Sequence, residues 1–167
     1  MNSSKGISII LCAYNSSRLL PETLKHLAGL KLPEGYPVEL VVIDNASTDA
    51  TAKVATATWQ KYGNPYPMQL HREDRPGLIF ARKKGLKESL YPFILFVDDD
   101  NRLDQNYLLE MTSVFETYTD AAVLGGENEA VFEGEKPEWF HRFEHSYAVG
   151  KPAKDFGEPS EIGLFGA

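Results

Sequence analysis

An α/β fold, with a mostly parallel sheet flanked by helices, is what this sequence predicts, on three observations. Short apolar, β-branched runs alternate with helix-period segments four times over, which implies parallel pairing through right-handed crossovers. The first two runs end in polar turns, and the fourth ends in Asp98-Asp99-Asp100. Strand ends of this kind gather along one edge of an open sheet, where such folds place their ligands.

The elements follow in order. Ile7 to Ala13 reads as a strand with few polar residues, hence covered on both faces. Tyr14-Asn15-Ser16-Ser17 is a turn that supplies helix N-cap candidates. Leu20, Leu24, Leu27 and Lys31 are spaced for one helical face, with Lys31 at its exposed end, and Pro21 fits the first turn of that helix. Pro33 and Pro37 bracket a loop before a second strand, Val38 to Ile43, which ends in Asp44-Asn45-Ala46-Ser47. Thr48 or Asp49 then caps a helix with Val54, Ala55, Thr58, Trp59 and Tyr62 on one side, ended by Gly63-Asn64-Pro65. Met68 to Leu70 is a weak third strand. The turn Arg75-Pro76-Gly77 leads into a helix from Leu78 to Leu90. Phe93 to Val97 is the acid-terminated strand. Asp104 caps a helix with Tyr107, Leu108, Met111, Val114, Phe115 and Tyr118 inward, and Ala121 to Leu124 reads as a fifth strand. Beyond Gly125 the helix period is lost. Trp139, Phe140, His141, Phe143, His145 and Tyr147 crowd a segment that reads as an irregular flap or short antiparallel excursion over the site. The apolar close, Ile162 to Ala167, predicts a chain truncated at its C-terminus.

Whole-chain properties narrow the function. The length of 167 residues suits one domain, and 25% charged with 43% apolar residues is an ordinary globular composition. A net charge of −7 argues against nucleic acid as a partner. No stretch approaches the roughly 20 apolar residues of a membrane span. The start lacks a secretory apolar core, and the single cysteine, Cys12, points to a reducing compartment and a core role rather than a nucleophile.

Three carboxylates after a buried strand are costly unless something answers them. Two like charges about 5 Å apart repel by roughly 3 kcal/mol at an effective dielectric of about 20. Either a carboxyl keeps its proton or a cation joins the site. Hard divalent ions such as Mg²⁺ and Mn²⁺ take oxygen ligands, often one or two carboxylates plus substrate phosphates. Strand alternation aims Asp98 and Asp100 one way and Asp99 the other. The bland alternative is a solvated acidic turn that caps the next helix; the position at a sheet end favours a ligand. A basic stretch, Arg72, Arg75, Arg82, Lys83, Lys84 and Lys87, stands out in this acidic chain, as a phosphate-facing group or as a solvated helix face.

These parts together resemble the family 2 glycosyltransferases, whose catalytic domains have the GT-A fold. The motifs are Ile9-Ile10-Leu11-Cys12-Ala13-Tyr14-Asn15, then Val41 to Thr51 with Asp44-Asn45 and Ser47-Thr48-Asp49, then Gly77-x-x-x-Ala81-Arg82-x-x-Gly85, then the acids after Phe93 to Val97. The ordered set covers roughly residues 7 to 104. The resemblance implies an inverting, metal-dependent transfer of sugar from a nucleoside-diphosphate sugar, most often UDP-linked, to a saccharide or lipid-linked acceptor. It implies that Ala13, Tyr14 and Asn15 lie beside the nucleotide base and that Asp44 accepts from a base N–H. Asp98 binds ribose with Asp99 as its alternate, Asp100 holds Mn²⁺ or Mg²⁺, and Arg82 faces base or phosphate. Thr48 and Asp49 read as helix caps rather than ligands. Residues 7–124 become the nucleotide-sugar core and 125–167 an acceptor-side segment of one domain. The expected location is cytoplasmic, peripheral at the inner face of a membrane. Inverting members place their general base after a Gly-Ala segment and a further strand. Leu164-Phe165-Gly166-Ala167 resembles that segment, so the base is expected beyond Ala167, and no motif nominates Glu127, Glu129 or Glu144. Two rivals share parts of the pattern. A nucleotidyltransferase needs a Gly-rich basic loop where Tyr14 to Ser17 stand, and a receiver-like Mg²⁺ module needs an acid pair where Cys12-Ala13 stand. A donor-binding fragment without turnover lies between these readings.

Overall fold

The computed structural model describes residues 5–150. The elements are β1 (Ile7–Ala13), α1 (Leu20–Ala28), β2 (Val38–Asn45), α2 (Thr51–Lys61), β3 (Met68–Glu73), α3 (Leu78–Glu88), β4 (Phe93–Asp98) and α4 (Tyr107–Thr117). The four strands form one sheet in the order β3-β2-β1-β4, and every pairing is parallel. Chain contacts divide the molecule into two compact units, Met1–Thr119 and Asp120–Ala167.

Right-handed crossovers dictate where the helices go. The steps β1→β2 and β2→β3 move the same way across the sheet, which puts α1 and α2 on one face; β3→β4 moves back past β1, which puts α3 on the other. The packing agrees. α1 lies against α2, while Ala81 of α3 is buried with Ile10, Cys12, Val41 and Ile43, and Ile94 and Phe96 pack beside them. Gly85 makes that approach possible, because a methyl group there would overlap the Ile10 side chain. β1 and β2, central and covered on both sides, are buried along their whole length.

A buried acid ties the lower end of this sheet. Glu39 is 1% exposed, and its carboxylate accepts from Ser8 Oγ at 2.6 Å, Leu90 N at 2.7 Å and Gln69 Nε2 at 2.8 Å. It thereby joins β1, β2, β3 and the segment leaving α3.

Several expectations need correction. α2 starts at Thr51 with Ala50 in the cap position; Asp49, one residue earlier, reaches the Thr51 N–H, and Thr48 turns to Asn15 instead. α4 starts two residues later than a cap at Asp104 requires, because that carboxylate accepts from Asn106 N and so closes a turn of its own. Tyr118 lies at the exposed end of α4 rather than inward. Ala121 to Leu124 forms no strand among the described residues; Val123 is 71% exposed, and an apolar run without a pairing edge does not make one. β3 runs three residues past Leu70, through His71-Arg72-Glu73.

The second unit is held by aromatic rings. Phe132 and Phe140 meet edge to face at 4.8 Å, Phe140 and Tyr147 at 5.4 Å, and Trp139 joins Phe143 at 6.2 Å. Phe140–Arg142 and Glu144–Tyr147 are single 3₁₀ turns, and Asn128 pairs antiparallel with Gly150. The Gly-Ala segment at Leu164 to Ala167 lies outside the described residues. Among those described, no helix is long and apolar enough to cross a membrane.

Candidate functional site

Register sets the upper edge of the sheet. Ala13 stands beside Asp44, Asp44 beside Arg72, and Cys12 beside Asp98. The strand order turns back between β1 and β4, and such a place is where open α/β sheets bind ligands.

The turn after β1 is built by its neighbours. Asn15 takes φ of 50°, a left-handed conformation that asparagine tolerates, and its N–H donates to Ser47 Oγ at 3.0 Å. Its own Oδ1 accepts from Thr48 N at 2.8 Å. Ser16 N donates to Thr51 Oγ1 and Ser17 N to Asp49 Oδ2. The β1 and β2 turns are therefore one laced surface, from which Tyr14 projects 58% exposed. These contacts hold Asp49 well below the usual carboxylate range, led by the Thr51 hydroxyl and Ser17.

Asp44 is 4% exposed and fully engaged. Oδ1 accepts from Ser47 N at 3.0 Å, and Oδ2 from Arg72 Nη1 at 3.0 Å. Arg72 also donates from Nε to Asp74 Oδ1 and from Nη1 to the Ser47 carbonyl. Asn45 shapes the next loop, donating to the Arg75 carbonyl at 2.7 Å and accepting from Gly77 N at 2.9 Å. Gly77 there has φ of 126°, which a side chain would strain.

The acid triplet splits by role. β4 ends at Asp98, and Asp99-Asp100 form a turn closed by Asn101 N on the Asp98 carbonyl. Asp98 Oδ1 faces Arg82 Nη2 at 3.5 Å, and the Arg82 guanidinium lies over the Phe96 ring. Burial raises the Asp98 pKa, Arg82 opposes that, and Asp100 and Asp99 add to it. Asp99 turns to the β1 loop: its Oδ2 accepts from Ser16 Oγ and Tyr14 N, and its carbonyl from Thr23 Oγ1. Asp100 is exposed. The charge cost read from the sequence is thus met partly by Arg82 and by neutral donors on Asp99. Burial pushes the Cys12 thiol up to about 11, which makes it a poor nucleophile.

The oxygen-only donor set suits a hard divalent ion. Among the described residues, no three acids, histidines or cysteines converge to hold one without help. The fit is to an ion bound by one carboxylate and completed by a ligand's own oxygens.

All eight nominated residues, Ala13, Tyr14, Asn15, Asp44, Arg82, Asp98, Asp99 and Asp100, lie at this edge. Ser16, Ser47 and Arg72 were not nominated for it. Arg72 stood in the basic stretch, but only the β2–β3 register reveals its pairing with Asp44.

Comparison with known proteins decides the family. The family model described as glycosyl transferase family 2 matches residues 8–164. The chain belongs to that family. Its parallel sheet flanked by helices is the GT-A-like arrangement the sequence predicts. The crystal structure of S. aureus TarS 1-349 in complex with UDP has 27% sequence identity and a TM-score of 0.67, over 80% of this chain and 38% of that one. A cholesterol galactosyltransferase of Borreliella burgdorferi is 27% identical over 103 residues, 61% of this chain and 27% of that protein. A poly-beta-1,6-N-acetyl-D-glucosamine synthase of Staphylococcus epidermidis is 27% identical over 109 residues, 64% of this chain and 25% of that protein. The chain thus spans about a quarter of the curated relatives it matches.

Proposed function

We propose that this chain is the donor-binding part of an inverting, metal-dependent glycosyltransferase that uses a nucleoside-diphosphate sugar, with UDP as the favoured nucleotide. The observation that carries the reading is the row of acids at the upper edge: Asp44 clamped between Ser47 N–H and Arg72, and Asp98 to Asp100 one strand beyond Ala13. TarS, a structural relative, is a UDP-bound protein in its crystal structure.

In this reading Ala13, Tyr14 and Asn15 line the base, with the exposed Tyr14 ring as a stacking surface. Asp44, already fixed in orientation, accepts from the base N–H, and Arg72 adds a donor beside it. Asp98 takes a ribose hydroxyl, with Asp99 as its alternate, while Arg82 balances Asp98. Asp100 would hold Mn²⁺ or Mg²⁺, which would supply Lewis-acid stabilisation of the departing negative charge. The protein's share is positioning: a laced surface needs little reorganisation when the donor arrives. The acceptor is a saccharide or a lipid-linked hydroxyl compound; the two curated relatives are named for a sterol and for a polysaccharide. The products fit polysaccharide or glycoconjugate synthesis, on the cytoplasmic side and peripheral to a membrane.

Incubation with labelled UDP-sugars and Mn²⁺ tests this reading. Preferential binding of UDP-sugar over nucleoside triphosphate is expected, with UDP released only by slow donor hydrolysis, since the general base is placed beyond Ala167. Tighter triphosphate binding with release of pyrophosphate would instead make the chain a nucleotidyltransferase.

A further inference from the structure

The helix α3 carries its apolar residues on the wrong side for an ordinary surface helix. Its inward face is small: Ala81 is buried, and Gly85 lets the backbone approach Ile10. Half a turn away, where polar residues belong, stand Ile79, 58% exposed, and Leu86, 48% exposed. Residues 79, 83 and 86 recur at helical spacing, and Leu90, after the extended Ser89 that ends the helix, is 65% exposed.

The strip is also basic. Lys83 and Lys87 are exposed between these apolar groups, and among the described residues neither has an ion-pair partner. Lys84 is occupied by Glu88, and Arg82 turns to Asp98. In a chain of net charge −7, this face is a local exception.

We propose that the outward face of α3 is a docking surface for an anionic phospholipid bilayer. Charge selects an anionic partner, and composition selects a lipid surface over a protein. Protein interfaces are depleted in Lys and enriched in aromatic residues and Arg, whereas this face is Ile, Leu and Lys. Helices that lie on membranes pair Leu-type residues with Lys, whose stems cover apolar surface while the ammonium groups reach headgroups. Eleven residues make a weak, reversible, salt-sensitive contact. The inference gives a surface to the membrane-side placement proposed above, and it does not depend on sugar transfer.

The test is co-sedimentation with vesicles of phosphatidylcholine alone and of phosphatidylcholine mixed with phosphatidylglycerol. UDP binding to the same samples is followed by calorimetry. Partition onto the anionic vesicles only is expected. K83E/K87E should lower it about tenfold or more, as the loss of two lysines near an anionic surface implies. I79S/L86S should lower it as well, while K53E/K61E on α2 should not. All of these side chains are at least partly exposed, so melting curves should stay unchanged. No partition, or equal loss with the α2 control, overturns the proposal. So does a dimer in sedimentation equilibrium that I79S/L86S dissociates, since the face would then join two copies. Vesicle binding without UDP binding would instead count against the sugar-donor reading alone.

Discussion

Two groups of acids sit at opposite ends of the same four strands, and they are handled differently. Glu39, at the lower end, is sealed and met by three neutral donors at 2.6–2.8 Å. At the upper edge Asp44 and Asp98 face the arginines Arg72 and Arg82, and Asp100 is open to solvent. The first group has no access and nothing left to bind, so it is structural. The second combines the buried Asp44, the half-exposed Asp98 and the exposed Asp100 with arginines that are themselves partly exposed, the arrangement in which a charged ligand can exchange for a protein partner. The helix α3 joins the two ends, holding Asp98 through Arg82 and leading to Leu90 on Glu39.

The comparison breaks most visibly at Glu39. Glu39→Ala removes the acceptor of the Ser8 hydroxyl proton and of Leu90 N–H, although Ser8 Oγ still accepts from Tyr91 N, and should cost about 2–4 kcal/mol of stability. Donor binding by the folded fraction should be unchanged. Chemical denaturation with parallel calorimetry reads both, and a stable variant that fails to bind nucleotide would merge the two groups into one. Asp44→Ala also leaves Ser47 N–H and Arg72 without their acceptor, and so should cost some stability, but its larger effect should be on the nucleotide. It should weaken UDP binding by roughly 1.5–3 kcal/mol, the size expected for a hydrogen bond to a charged group, and equal affinity in isothermal titration would remove Asp44 from the site.

Gly85→Ala sharpens the role of α3. Overlap with Ile10 costs about 1–3 kcal/mol, against a gain of about 1 kcal/mol in helix propensity. A net loss of around 1 kcal/mol in a urea melt is expected, and a gain would mean that α3 has room to shift.

The smallest effect is at Asp98, and its sign is the informative part. Burial raises the pKa of Asp98 in the folded state. Folded protein therefore holds more protons than unfolded protein between the two values, and stability falls as pH rises through them. Asp98→Asn should be slightly more stable than wild type at neutral pH, by no more than about 1 kcal/mol for so accessible a pair. The gap should close in acid, and nucleotide affinity should drop. Wild type proving the more stable at neutral pH would mean that Arg82 outweighs burial.

Much of this was legible in the sequence, for reasons that particular residues make plain. β1 and β2 were readable because central parallel strands are apolar throughout. The polar half of β3, His71-Arg72-Glu73, was missed because an edge strand pairs on one side only and need not be apolar. Ala121 to Leu124 misled for the opposite reason, since apolar composition does not supply a pairing edge. The acids of the candidate site announced themselves by their cost at strand ends. The partners Arg72, Ser16 and Ser47 did not, because each meets its acid across strands or turns, and only register brings them together.

Asp100 is proposed to hold the divalent ion through which this edge takes a nucleoside diphosphate. Calorimetry of UDP with and without Mn²⁺ on wild type, Asp100→Ala and the neighbouring Asn101→Ala tests it most directly. Mn²⁺-dependent binding that Asp100→Ala loses and Asn101→Ala keeps is expected. Equal, unaltered Mn²⁺-dependent affinity in both variants would contradict it.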